Sequence, residues 1–153
     1  MLSKYTLLFF LLISAHFLVA QNTVFDKEIK EIDSLIQYNQ FEAAQRKADN
    51  LYQKLSISKE QKKYKTELLE LKFKQAYIQE KEDKLPSEWL KILLEITDKA
   101  EAEQLHSLSC RIYLLIALAY EKTGNYNLTD KYLKLAYQKI NKNNLVNLYS
   151  TYY

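Results

Sequence analysis

One glycine, one proline and one cysteine occur in the 153 residues of this chain. A many-stranded sheet needs turns rich in glycine and proline at short intervals, so their scarcity excludes that class. The abundant Leu, Lys, Glu, Gln and Ala are what helices favour, and the fold class is all-α. Cys110 has no partner within the chain, so no disulfide framework holds the fold. Beside the apolar run "IYLLIALAY" it reads as a small buried hydrophobe and not as a reactive thiol.

Chemistry-bearing residues are equally sparse. Beyond residue 20 the only histidine is His106, and the acids near it have simpler explanations than metal ligation, so no metal or cofactor is expected. Ser107 and Ser109 lie in nothing like a nucleophile elbow, and no glycine-rich loop is available to cradle phosphate. The carboxylate pairs Glu80/Glu82 and Glu101/Glu103 fall in turn or solvated-face contexts, which suit general acid–base work poorly. The protein is therefore expected not to be an enzyme. Its one basic cluster, "KEQKKYK" with Lys59, Lys62, Lys63 and Lys65 around Tyr64, is diluted by Glu60 and Glu67 and reads as a solvated helix face. The formal charge is +3, and +2 without Lys4, which gives no reason to expect a nucleic acid or an anionic membrane as partner.

Two apolar runs stand out. Residues 1–20, "MLSKYTLLFFLLISAHFLVA", carry Lys4, an apolar stretch interrupted by Ser14 and His16, and small Ala20 before Gln21. This is the pattern of a secretory signal peptide cleaved near Ala20, and the run is shorter than the roughly 20 apolar residues of a membrane span. No cysteine follows it to take a lipid. The expectation is a periplasmic or secreted protein with one domain over residues 21–153 and no stable membrane span after cleavage. The second run, Ile112 to Tyr120, is too short to span a bilayer but apolar enough to be buried on all sides of a helix.

Periodicity places the helices. Thr23 and Asp26 make a capping-box-like start, and Ile29, Ile32, Leu35 and Ile36 continue a first helix over about 24–37. "YNQ" (Tyr38 to Gln40) interrupts it, and Phe41, Ala44, Ala48, Leu51 and Leu55 mark the second. Ser58 with Gln61 signals a third helix with one mixed apolar face of Tyr64, Leu68, Leu71, Gln75 and Ile78. Pro86 fits only the first turn of a helix, so the fourth begins there with Trp89, Leu93 and Ile96 inward. The fifth is expected over about 102–122. Gly124 then supplies a left-handed C-cap, and Asn127 with Asp130 restarts the chain. Leu128, Tyr132, Leu133, Ala136, Tyr137 and Ile140 are expected to form the inner face of the sixth helix. Asn127-Leu-Thr129 is formally a glycosylation sequon but reads as that cap.

The hairpin turns near residues 39, 83 and 124 recur about every 42 residues, the self-similarity of stacked helical hairpins. At "YLLIALAYEKTGNYNLTDKYLKLAYQKINK" the chain resembles a tetratricopeptide repeat. Tyr113, Ile116 and Ala117 fit its large, aliphatic and small positions; Tyr120, Gly124 and Tyr126 fit the aromatic and turn positions; Ala136 fits the late small one. Thr129, Leu133 and Asn141 depart from it. Phe41 and Ala44 carry a weaker match in the first hairpin, and the middle hairpin keeps little beyond Ala76 and Tyr77. The resemblance implies a right-handed TPR-like α-solenoid of about three hairpins plus a C-terminal helix, binding a peptide or protein in its concave groove and lacking a cofactor. Such a domain can be an interaction scaffold or the sensing segment of a larger regulator; a small-ligand-binding or enzymatic helical bundle is the alternative, and would show an enclosed cavity.

Tyrosine is the one unusually frequent aromatic, with 12 of 13 copies beyond residue 20. Most are expected in inter-helix packing, with a minority lining a groove. "LVNLYSTYY" (residues 145–153) reads as the first helix of a fourth repeat, whose partner helix lies downstream or in another molecule, and so as a point of self-association or of attachment to a further domain; the alternative is a single docking helix that closes the stack.

Overall fold

The computed structural model describes residues 25–59 and 61–143, and these are helical with short connections. Helix α1 covers residues 25–37, followed by α2 (Phe41–Ser56), a 3-10 turn (Gln61–Tyr64), α3 (Lys65–Lys81), α4 (Pro86–Ala102), α5 (His106–Lys122) and α6 (Tyr126–Asn143). The expected signal peptide at 1–20 and the expected helix at 145–153 lie outside the described residues.

Four connections share one device. Asn39, Asp83, Gln104 and Gly124 have φ of 57°, 58°, 55° and 75°, in the left-handed region. At each, the amide of that residue donates to the carbonyl three residues back, and the next amide donates to the carbonyl five back. Asn39 to Ile36 and Gln40 to Leu35, at 3.0 and 2.8 Å, show the pattern, as do Gly124 to Glu121 and Asn125 to Tyr120 at 2.9 and 2.8 Å. This double bond satisfies carbonyls that the helix end leaves free and folds the chain back on itself. Gly124 is thus the left-handed turn that its composition suggests. Gln104 ends α4 in the same way, so α5 begins at His106 and not near residue 102.

The core is a chain of three apolar clusters. One joins α1, α2 and α3 through Ile32, Ala44, Ala48, Leu51, Leu55, Leu71 and Ile78. A second joins α3, α4 and α5 around Phe73, Trp89, Leu93, Ile96, Ile112 and Ile116. The third joins α5 and α6 through Cys110, Tyr113, Ala136 and Ile140. Each helix packs chiefly on its neighbours in sequence. Helix α3 is consequently buried on two faces: Leu71 and Ile78 look one way, Leu69, Phe73 and Ala76 the other, in place of the single face its periodicity suggests.

The even-numbered helices bury the same register. Ala44, Ala48, Leu51 and Leu55 in α2 correspond to Trp89, Leu93, Ile96 and Ala100 in α4, in steps of four, three and four residues, and all eight are buried. In α6 the same steps give Thr129, Leu133, Ala136 and Ile140, of which only Ala136 and Ile140 are buried. Leu133 and Tyr137 are exposed and do not belong to the inner face, which Leu128, Tyr132, Leu135, Ala136 and Ile140 supply instead. The cap of α6 is Asn125, whose Oδ1 accepts from the Leu128 amide at 3.3 Å; Asn127 is exposed within the first turn. Helix α3 starts later than its expected Ser58–Gln61 cap because those residues lead into the 3-10 turn.

Candidate functional site

The odd-numbered helices α1, α3 and α5 are tied together by ion pairs at sequence intervals of 41 or 42 residues. Lys74 of α3 donates to Asp33 of α1, 41 residues away, and lies 3.6 Å from Glu70 one turn before it. Glu70 in turn receives both terminal nitrogens of Arg111 from α5, at 2.9 and 2.6 Å and again 41 residues away. Near the other end Glu80 accepts from Lys122 at 3.1 Å, a separation of 42. The Lys74 side chain is only 8% exposed, so its charge depends on these two carboxylates. Burial pushes the Glu70 carboxyl up, but the hydrogen bonds and charge of Arg111, with Lys74, outweigh it and hold the carboxyl below its ordinary value. The Arg111 guanidinium also lies 4.8 Å from the Phe73 ring, so one side chain joins the polar and apolar contacts between α3 and α5.

Beside this ladder an open groove of about 470 Å³ runs along α5. Its apolar floor is Leu114, Leu115, Ala117 and Leu118; Tyr77, Glu80 and Lys81 of α3 form one wall, and Glu121, Thr129 and Leu133 the other. Lys81 stands 5.1 Å from the Tyr77 ring and 3.2 Å from Glu80, and although burial disfavours its charge, the Glu80 contact raises its pKa. A second groove of about 380 Å³ between α2, α3 and α4 is spanned by its own lining residues, with Lys65 bonded to Glu103 at 2.7 Å and Lys72 placed 4.6 Å from the Tyr52 ring. The first groove is the larger of the two and is the better candidate for a binding surface.

Most of the residues that carry the repeat match in the first and last hairpins serve packing, and of them only Ala117 lines this groove. Ile116, Ala117, Ala136 and Ala44 are buried, Phe41 is half-buried against the first cluster, and Tyr120 stacks on Tyr132 at 5.7 Å. Tyr113 donates to Glu101 at 3.1 Å, and burial followed by the Glu101 charge pushes its pKa up to about 12. Lys139 of α6 reaches the other oxygen of the same carboxylate. Tyr126 is 71% exposed, so at this aromatic position the ring does not pack into the core. Cys110 is buried, with its thiol 3.7 Å from the Ala136 carbonyl, and burial raises its pKa.

Of the groove residues, Leu114 and Leu118 were hidden within the continuous apolar run, where no polar position marks which side faces solvent. The ion-pair interval was present in the sequence, but oppositely charged residues 41 apart acquire meaning only once the helices are seen side by side. Among the described residues no helix is long and apolar enough to cross a membrane, and no group of three or more His, Cys, Asp or Glu side chains is placed to hold a metal. No family model, curated protein or solved structure matches the chain.

Proposed function

We propose that this protein is an exported, non-enzymatic scaffold: a TPR-like, right-handed stack of three helical hairpins that holds a peptide or protein segment in the groove over α3 and α5. The observation that carries this reading is the juxtaposition of the ladder and the groove. Charge pairs at intervals of 41 and 42 residues set α1, α3 and α5 side by side, and the surface beside them is open, with an apolar floor and charged walls. An extended or helical segment with one apolar face fits such a surface, its polar side meeting Lys81 and Glu121.

The test is comparative capture from the cell envelope with mass spectrometry, using the natural protein and a Leu118→Glu variant shown by circular dichroism to keep its helicity. A partner retained by the first and lost from the second supports the groove. Equal retention by both, or no partner at all, defeats it. Export is tested separately by N-terminal sequencing, which should begin near Gln21; an intact Met1 on cytoplasmic protein would overturn that part.

A further inference from the structure

The smaller groove, between α2, α3 and α4, shares no lining residue with the groove over α3 and α5. Its floor is apolar, with Leu69 and Ile96 buried and Tyr52 and Leu68 half-buried. Five charged side chains border it: Lys65, Lys72, Lys99, Glu95 and Glu103. Both carboxylates already have a lysine, Glu103 being 2.7 Å from Lys65 and Glu95 3.8 Å from Lys99. Lys72 is left over. It is half-buried, makes no ion pair among the described residues, and has no acid one turn away on α3, where Leu68, Leu69, Gln75 and Ala76 stand. Its ammonium rests 4.6 Å from the Tyr52 ring, a contact that does not neutralise its charge.

The two ends of the groove therefore differ. Lys65, in the first turn of α3, reaches Glu103, just past the end of α4, and this bridge closes one end without net charge. Lys72 lies two turns further along α3, about 10 Å away, and gives the other end an unpaired positive charge. Apolar side chains lie between. We propose that this groove binds a small amphipathic anion of the aliphatic-carboxylate class, its headgroup on the Lys72 ammonium and its chain over Leu68, Leu69 and Ile96 toward the closed end. The ammonium donates charge-assisted hydrogen bonds to the carboxylate oxygens, and the chain covers side chains that water now meets. A volume of about 380 Å³ is at the lower end of the range for small-molecule sites and suits one chain of about 10 Å. The bridge at the closed end stops a polypeptide from running through. The site does not depend on a partner in the other groove.

Octanoate, acetate and 1-octanol, titrated into the full chain and followed by amide NMR shifts, test this. Octanoate should give saturable shifts along the facing parts of α2, α3 and α4, with a Kd on the order of a millimolar. Acetate, which lacks the chain, and 1-octanol, which lacks the charge, should each bind at least about tenfold more weakly. Lys72→Met keeps the stem and drops the charge; it should weaken octanoate about tenfold and leave 1-octanol unchanged, and Lys72→Arg should retain octanoate. Leu118→Glu, in the other groove, should change nothing. Equal octanoate affinity in Lys72→Met, equal binding of octanoate and 1-octanol by the natural protein, loss of the shifts in Leu118→Glu, or no saturable shifts at all would each overturn the proposal.

Discussion

Three of the four residues that end helices in the left-handed region carry a β-carbon, and each holds strain that glycine would not. Gln104→Gly should therefore stabilise the fold by about 0.5–1 kcal/mol, measured by urea unfolding, because Gln lacks the local hydrogen bonding that makes Asn tolerable there. Gly124→Val should destabilise by about 1–3 kcal/mol. An added Cβ at Gly124 meets nothing within 4 Å, so the loss is conformational and Gly124→Ala should retain much of it. Asn39→Val strains the same kind of turn but starts from a residue already above the glycine optimum, so the measured change should be smaller. Asn39 and Gly124 were legible as turns from their residue types; Gln104 was not, since nothing about glutamine announces a positive φ. Glu70 and Glu101 carry a pH signature. Burial raises both carboxyls, but Arg111 with Lys74 at the first and Lys139 at the second reverse the shift, leaving both below 4.5. A depressed carboxyl contributes stability above its unfolded value that is lost as pH falls through the folded one, so stability should drop below about pH 4.5, with a shallower drop in Glu70→Gln. Tyr113 acts in the opposite sense: its stabilisation is whole below pH 10 and fades as pH rises toward about 12.

Among the elements, α4 shows how far sequence pattern reaches. Pro86 fixes its start, and Trp89, Leu93 and Ile96 point inward, as their spacing predicts. Trp89 is fully buried, donates its indole N–H to the Lys84 carbonyl at 3.3 Å, and has the Lys122 ammonium 5.9 Å from its ring. Trp89→Ala should cost about 3–5 kcal/mol by denaturant unfolding, and Trp89→Phe clearly less, since it keeps most of the packing. Helix α3 was harder to read. With apolar residues on two opposite faces it has no single stripe, and its central charges, Glu70 and Lys74, look solvent-facing until α1 and α5 are placed beside them. The exposed side of α6 was misread for the converse reason. Leu133 and Tyr137 have the right spacing for a core face, but burial is decided by the element that covers them, and spacing alone does not name that element.

At the scale of the whole molecule, three apolar clusters follow one another through the described helices, with contacts mainly between neighbours in sequence. Helices flanked on both sides should open last. Native-state hydrogen exchange should find the slowest amides in α2 to α5, with α1 and α6 the first of the described helices to exchange. Uniform protection from α1 to α6 would mean that the clusters unfold as one unit. The all-α class and the hairpin turns were legible because glycine, proline and apolar spacing act locally. The groove was not, because it exists only between helices far apart in the chain.

The charge ladder also makes the hairpins non-interchangeable. Excising residues 65–105 would leave α2 feeding directly into α5, with apolar faces still able to meet. Yet Asp33 would then face Leu115, the α5 counterpart of Lys74, and Arg111 would face Ile29, the α1 counterpart of Glu70. Each hairpin thus carries half of an electrical signature completed only by its natural neighbour. The order of the units is written in their charges, so gain or loss of one by recombination would be penalised even where the shapes fit.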